Sequence, residues 1–155
     1  LCFPKSQNVS VNNVSINLEE LEDFYKSDAY NSLSIEGYYV DDELISRVKN
    51  NNWNRDLHPQ DQLDQNVLAA RGYYEAFQKV KISIQQILSG INPGEIIEKD
   101  LKLWYQSLFA PNLRAGLLRP EDLMGYRKHQ VYIRSSRHIP FPKEALIDYM
   151  ETLFK

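Results

Sequence analysis

The sequence has little of several features that would identify a special class of protein. It contains one cysteine, Cys2, in 155 residues, so no disulfide can form within the chain. No apolar run approaches the roughly 20 residues that a helix needs to cross a bilayer. The net charge of -3 provides no basic field for DNA or RNA. We therefore expect a cytoplasmic protein that binds neither membrane nor nucleic acid.

Motifs of the common catalytic classes are also missing. The sequence has no Gly-rich loop that could cradle phosphates, no Cys/His spacing typical of a metal site and no Ser-His-Asp arrangement that stands out. His129 and His138 lie on a predicted hairpin, where surface or turn histidines are common. We therefore predict no metal site.

The overall composition is that of an ordinary globular protein. Hydrophobic residues make up 43% of the chain and charged residues 25%, and a chain of this length can form one domain with its own core. Residues 1–17 are rich in Ser, Asn and Val without a helical period, which predicts an extended arm or a short strand.

Helical periodicity dominates the rest of the chain. Apolar residues recur every three or four positions, and cap residues mark several starts and ends. The first predicted helix begins after Asn17 and breaks near Ser27-Asp28, and a second covers about 29–36. Further helices are predicted from Asp41 or Asp42 to Val48, over 62–88 and from Ile97 to Pro111-Asn112. The last is an amphipathic helix that contains Leu146, Met150, Leu153 and Phe154.

Only one pair of strands is predicted. Over residues 130–134, Val131 and Ile133 alternate with Tyr132, and Ser135-Ser136 can turn the chain. The expected fold class is therefore mainly α, with one β-hairpin.

The segment Ser32-Leu33-Ser34-Ile35-Glu36-Gly37 places a carboxylate at the end of a predicted helix. Ser32 and Glu36 are four residues apart and share a face, and Gly37 stands where helices often stop in a left-handed conformation. A carboxylate there opposes the partial negative charge of the last carbonyls, which costs about 0.3–1 kcal/mol when it is exposed. From the residues alone, Glu36 is either a solvated side chain beside the helix end or a receptor for an arginine or lysine from elsewhere.

The same segment resembles the inhibitory motif (S/T)xxxE(G/N) of Fic-domain proteins, enzymes that most often transfer AMP from ATP to a protein hydroxyl. A second stretch is similar to the run that precedes the Fic catalytic motif, and it occurs in the expected order. The resemblance covers most of residues 32–155 and implies an incomplete Fic-like helical domain whose hairpin is the family's flap. The residues of this second stretch are Gly125-Tyr126-Arg127, Val131-Tyr132-Ile133, Ser136-Arg137-His138-Ile139-Pro140 and Met150-Glu151-Thr152-Leu153.

The Fic catalytic motif HxFx(D/E)GNGR does not occur in this sequence. None of the three histidines begins it, because His58, His129 and His138 are followed by Pro, Gln and Ile. The chain also starts at Leu1 and ends within an amphipathic pattern, so we expect a fragment that is inactive by itself. In this interpretation residues 18–50 are the inhibitory-helix region and residues 51–155 the N-terminal half of a Fic domain.

The resemblance implies a regulatory role for the first motif. Glu36 would pair with the second arginine of the catalytic motif, with Ser32 supporting the helix and Gly37 ending it. ATP and Mg²⁺ would be bound in the complete protein, and no cofactor is expected for the fragment. The partner of this region would be the catalytic half of the Fic domain.

The resemblance also implies a docking role for the flap. A protein target would be held there as an added strand beside Val131, Tyr132, Ile133 and His138, although Val131 and Ile133 could equally anchor the hairpin to the core. The expected function is the regulatory and target-docking part of a self-inhibited protein adenylyltransferase. The alternative is a non-catalytic peptide-binding or regulatory module of a degenerate Fic protein.

Overall fold

The computed structural model describes residues 18–50 and 64–154, and over these ranges the chain is mainly helical and contains no strand. The mainly α prediction is therefore confirmed, whereas the predicted arm over residues 1–17 lies outside the described residues. No helix in the described ranges is long and apolar enough to span a membrane. The helices are α1 (Leu18–Ile35), α2 (Asp42–Lys49), α3 (Gln65–Leu88), α4 (Pro93–Arg114) and α5 (Leu146–Phe154), with short 3-10 helices at Pro120–Leu123 and Lys143–Ala145.

Helices α3 and α4 form an antiparallel pair joined by residues 89–92. The Asp64 side chain caps α3 by accepting the backbone N–H of Asn66 at 2.8 Å, and Asn92 caps α4 in the same way through Gly94. The two backbones come very close at Gly72, where a methyl group would overlap the carbonyl oxygen of Leu108. Glycine is therefore needed here for packing rather than for a turn.

Helices α1 and α2 pack on α3 and enclose the core. Tyr25, Ala29 and Leu33 lie four residues apart on one face of α1, and all three are buried. The Tyr25 ring lies at the centre, with its centroid 5.3 Å from that of Tyr74 and 4.9 Å from that of Phe77 on α3. This aromatic cluster fixes the position of α1 relative to α3.

The predicted break in α1 at Ser27-Asp28 is wrong, because the helix continues through both residues. Their side chains bind other groups instead of competing for the backbone. Ser27 accepts a hydrogen bond from the Asn31 amide at 3.4 Å, and Asp28 accepts one from the Tyr73 hydroxyl of α3 at 2.5 Å. Burial of Tyr25 further favours a continuous helix at this point.

Helix α4 is also longer than predicted at both ends. It begins at Pro93, a favourable first helical position, and it continues past Pro111 to Arg114. Pro111 is buried and its carbonyl still accepts the N–H of Ala115 at 3.0 Å, so the last turn closes. Ala115 is the C-cap, and the following Gly116 turns the chain away with a positive φ of 73°.

The predicted β-hairpin does not form, since residues 124–142 contain no strand. A turn is present, because the N–H of Ser136 donates to the carbonyl of Ile133 at 3.1 Å and Ser135 adopts a φ of 60°. No ladder of backbone hydrogen bonds extends from this turn within residues 124–142.

Side chains close this segment instead of a strand ladder. The Arg127 guanidinium donates to the carbonyl of Phe141, and the Gln130 amide donates to the carbonyl of Pro140 at 3.1 Å. The returning chain contains Pro140 and Pro142, which have no N–H to contribute to a ladder. The result is a loop over residues 127–141 whose two ends are held together by side-chain donors.

Candidate functional site

The end of α1 is a fully formed helix stop that fixes the position of Glu36. The N–H of Tyr38 donates to the carbonyl of Leu33 and the N–H of Gly37 to that of Ser34, both at 3.0 Å. Gly37 has a φ of 88°, and Tyr38 packs on the core cluster that contains Leu33. These are the two hydrogen bonds and the apolar contact of a Schellman motif. The predicted left-handed stop at Gly37 is therefore present.

Ser32 connects this helix end to α3. Its hydroxyl oxygen lies 3.3 Å from the hydroxyl oxygen of Tyr73, which donates its proton to Asp28 at 2.5 Å. Burial, and then the hydrogen bond to Asp28, raise the pKa of Tyr73 above its ordinary value. Tyr73 therefore stays protonated at neutral pH and ties two positions of α1 to α3. Tyr73 was not among the residues that the sequence pattern singled out, because its contact with α1 joins residues far apart in the chain.

Glu36 itself is exposed to solvent. No lysine or arginine in residues 18–50 or 64–154 forms an ion pair with its carboxylate. Its neighbours Ile35 and Tyr39 are also highly exposed, at 83% and 88%. The site is thus an exposed carboxylate on a backbone fixed by the helix stop, with exposed apolar residues near it in the chain, and it can accept a cation from another polypeptide segment with apolar surface around that cation.

A separate apolar groove is formed mainly by α3 and α4, and Asp28 is the one residue of α1 in its lining. Its volume is about 360 Å³. Phe77 and Val80 of α3 and Trp104 of α4 contribute apolar surface, and the Asp28-Tyr73 pair lies along its lining. Tyr73 of this pair also bonds Ser32, so one side chain links the motif to the lining of the groove.

A buried polar cluster supports the other side of this groove. Ser83 of α3 donates to the carboxylate of Asp100 at 2.7 Å, and the indole N–H of Trp104 donates to Ser83 at 3.2 Å. Asp100 is buried, and these hydrogen bonds fix the rotation of α4 relative to α3. Sequence periodicity does not reveal this cluster, because Ser83 and Asp100 stand at positions that a simple apolar pattern leaves blank.

The four flap residues predicted to dock a target all lie on the loop over residues 127–141. Val131, Tyr132 and Ile133 are exposed, as is His138, whose backbone N–H donates to Ser136 at 3.0 Å. Because their side chains are exposed, Val131 and Ile133 do not anchor a hairpin to the core of the described residues. No hydrogen bond or ion pair in the described ranges joins this loop to Ser32 or Glu36. The structure therefore presents two separate candidate surfaces.

The described residues provide no site that fits a metal ion. No group of three or more His, Cys, Asp or Glu side chains converges in residues 18–50 and 64–154. The two candidate surfaces consist of an exposed carboxylate and an exposed loop.

Comparison with known proteins yields no relative. Neither a family model, nor a curated protein, nor a solved structure matches this chain.

Proposed function

We propose that this chain is the regulatory and target-docking part of a self-inhibited Fic protein adenylyltransferase. The observation that carries the proposal is the exposed Glu36 carboxylate, held by a rigid helix end without a cation among the described residues. The motif resemblance assigns the missing cation to an arginine of the catalytic motif. The exposed Ile35 and Tyr39 beside it are apolar surface that such a segment would cover.

Inhibition would operate by competition for that arginine. A guanidinium that binds Glu36 through charge-assisted hydrogen bonds cannot at the same time bind phosphate oxygens. The position of α1 matters for this competition, because a carboxylate displaced by a few ångströms would leave the arginine available. The Ser32-Tyr73-Asp28 hydrogen bonds and the packing of Tyr25 hold α1 in place.

ATP and Mg²⁺ belong to the catalytic half in this proposal. The described residues contain neither a cluster that could hold a metal ion nor a Gly-rich loop for phosphates. What this chain contributes is the control of the site and the surface for the protein target.

The test is AMP transfer from radioactive ATP by the protein that joins this chain to the catalytic motif. We expect Glu36→Gly to raise the labelling by roughly tenfold to a hundredfold, because a charge-assisted hydrogen bond contributes about 1.5–3 kcal/mol. Glu36→Gln separates the loss of charge from any change in the backbone and should also activate. Glu98→Gln, an exposed glutamate on α4, is the matched control and should leave the rate unchanged.

Unchanged labelling in both Glu36 variants would rule out the inhibitory role. The codons that follow Lys155 provide a second test, since the proposal expects HxFx(D/E)GNGR within them. A degenerate motif without its histidine or arginines would instead favour the non-catalytic binding module.

A further inference from the structure

The loop over residues 127–141, which we call the basic loop, carries charge of one sign only. Its sequence contains four Lys or Arg residues and two His residues but no Asp or Glu, although the whole chain has a net charge of -3. Every residue from 131 to 139 is exposed. The loop is therefore a local positive surface on an otherwise acidic chain.

Two of its arginines are available to a partner. Arg134 and Arg137 flank the turn at the tip of the loop, and both are exposed. Neither forms an ion pair with a carboxylate in the described residues. Arg127 has a different role, because its guanidinium already donates to two carbonyls at the base of the loop.

The backbone N–H groups beside this tip are also unpaired, whereas the carbonyls of Val131 and Ile133 already accept hydrogen bonds from the Gln130 amide and the Ser136 N–H. The N–H groups of Val131, Tyr132 and Ile133 donate to no group in the described ranges. Exposed backbone N–H groups can donate to the carbonyls of a second polypeptide in extended conformation. Nucleic acid offers no matching row of peptide groups, and the negative charge elsewhere on the chain would repel a long polyanion.

We propose that the basic loop binds an acidic, extended segment of the target protein. The segment would accept hydrogen bonds from the backbone N–H groups of residues 131–133 and place Asp or Glu side chains against Arg134 and Arg137. This inference rests on the proposed docking role of the loop and specifies the class of target that the loop accepts.

Binding of synthetic peptides to the whole 155-residue chain tests the proposal. One short fluorescein-labelled peptide carries Glu at every second position, and its counterpart carries Gln at the same positions. We expect anisotropy titrations at low salt to show binding of the Glu peptide at least about fivefold tighter than that of the Gln peptide. The preference should shrink as salt is added, because exposed charges are screened.

Reversing the charge of two arginines tests whether the preference for the Glu peptide depends on the basic loop. The double variant Arg134→Glu/Arg137→Glu should abolish the preference for the Glu peptide. The matched control Lys79→Glu/Lys102→Glu changes the net charge by the same amount at exposed positions of α3 and α4 and should retain it. Absence of binding, equal binding of the two peptides, or equal loss in both variants would overturn the proposal.

Two further arms distinguish the alternatives. If single-stranded oligodeoxythymidylate displaces the Glu peptide and binds more tightly than it, the surface recognises nucleic acid and the proposal is overturned. Glu36→Gly should bind the Glu peptide as the unaltered chain does, since Glu36 makes no bond to the loop. Failure of the peptide test would therefore leave the inhibitory role of Glu36 intact, and failure of the activation test would leave the peptide result intact.

Discussion

Helices α1 to α4 form a first region of the molecule and the segment after Gly116 forms a second. Both contain apolar side chains, but the two regions differ in how many of these are buried. The first region contains nearly every buried side chain of the described residues, whereas the second contains only Leu123. Helix α5 is strongly apolar on one face, yet none of its residues is buried. The difference shows that an apolar pattern predicts a helix, while burial depends on a second surface that fits it.

The contacts of the two regions explain the contrast. In the first region α3 is covered by α1, α2 and α4, so each apolar face meets another. In the second, α5 reaches α4 near Gly94, and Phe141 stacks on Tyr149 with ring centroids 4.0 Å apart. Paired substitutions, one in each region, test whether the two differ in stability as they do in burial.

The largest difference in stability between the two regions is expected when alanine replaces a glycine at which two backbones meet. Gly72→Ala would place a methyl group against the carbonyl of Leu108 and force α3 and α4 apart, so we expect a loss of about 4 kcal/mol or more in the free energy of unfolding. Gly94→Ala would similarly displace the carbonyl of Phe154, but only α5 should detach. Urea unfolding measures the first effect, and proteolysis of α5 measures the second. Equal destabilisation by both would show that the regions form one cooperative unit.

A smaller difference in stability between the two regions is expected when alanine replaces a leucine. Leu68 on α3 is 1% exposed and Leu153 on α5 is 66% exposed. Leu68→Ala should lower the free energy of unfolding by about 3 kcal/mol, because it leaves a cavity among packed neighbours. Leu153→Ala should change it by less than about 0.5 kcal/mol. A loss of similar size at Leu153 in urea unfolding would mean that α5 is covered in solution.

Local sequence signals account for much of the first region. Asp41 caps α2 with its side chain 2.7 Å from the N–H of Leu44, as the cap pattern predicts, and α3 ends at Leu88 as its period predicts. The position of Glu36 at a helix stop also follows from neighbouring residues alone. These features were predictable because each depends on a few consecutive residues.

The failed predictions for α1 and for the hairpin depend on contacts between residues that are not neighbours in the chain. Asp28 keeps α1 continuous by binding Tyr73, which is 45 positions away. In the second region, Arg127 binds the carbonyl of Phe141 and replaces a ladder that local alternation had indicated. Single-sequence patterns contain no information on such pairs, and they do not identify a cation for Glu36.

At neutral pH, the smallest difference in stability between the two regions is expected for removal of a tyrosine hydroxyl, and this difference grows as the pH rises. The hydroxyl of Tyr25 is buried without a hydrogen-bond partner in the described residues, so Tyr25→Phe should be neutral or stabilising by up to about 1 kcal/mol. Burial, and then the nearby Tyr74 and Tyr73, raise the pKa of Tyr25 well above its usual range. Above the unfolded value of about 10, the unfolded chain loses this proton while the folded chain keeps it. The free energy of unfolding should therefore fall with rising pH, by up to about 1.4 kcal/mol per pH unit from this group, and Tyr25→Phe should reduce that slope.

Tyr132→Phe on the exposed loop is the control, because the Tyr132 ring is 75% exposed in the folded chain. Urea unfolding at pH values from 8 to about 11 should show the same dependence of the free energy of unfolding on pH in Tyr132→Phe as in the unaltered chain. An unaltered slope in Tyr25→Phe would mean that water reaches this hydroxyl, and the aromatic cluster would then be less well sealed than the rest of the first region.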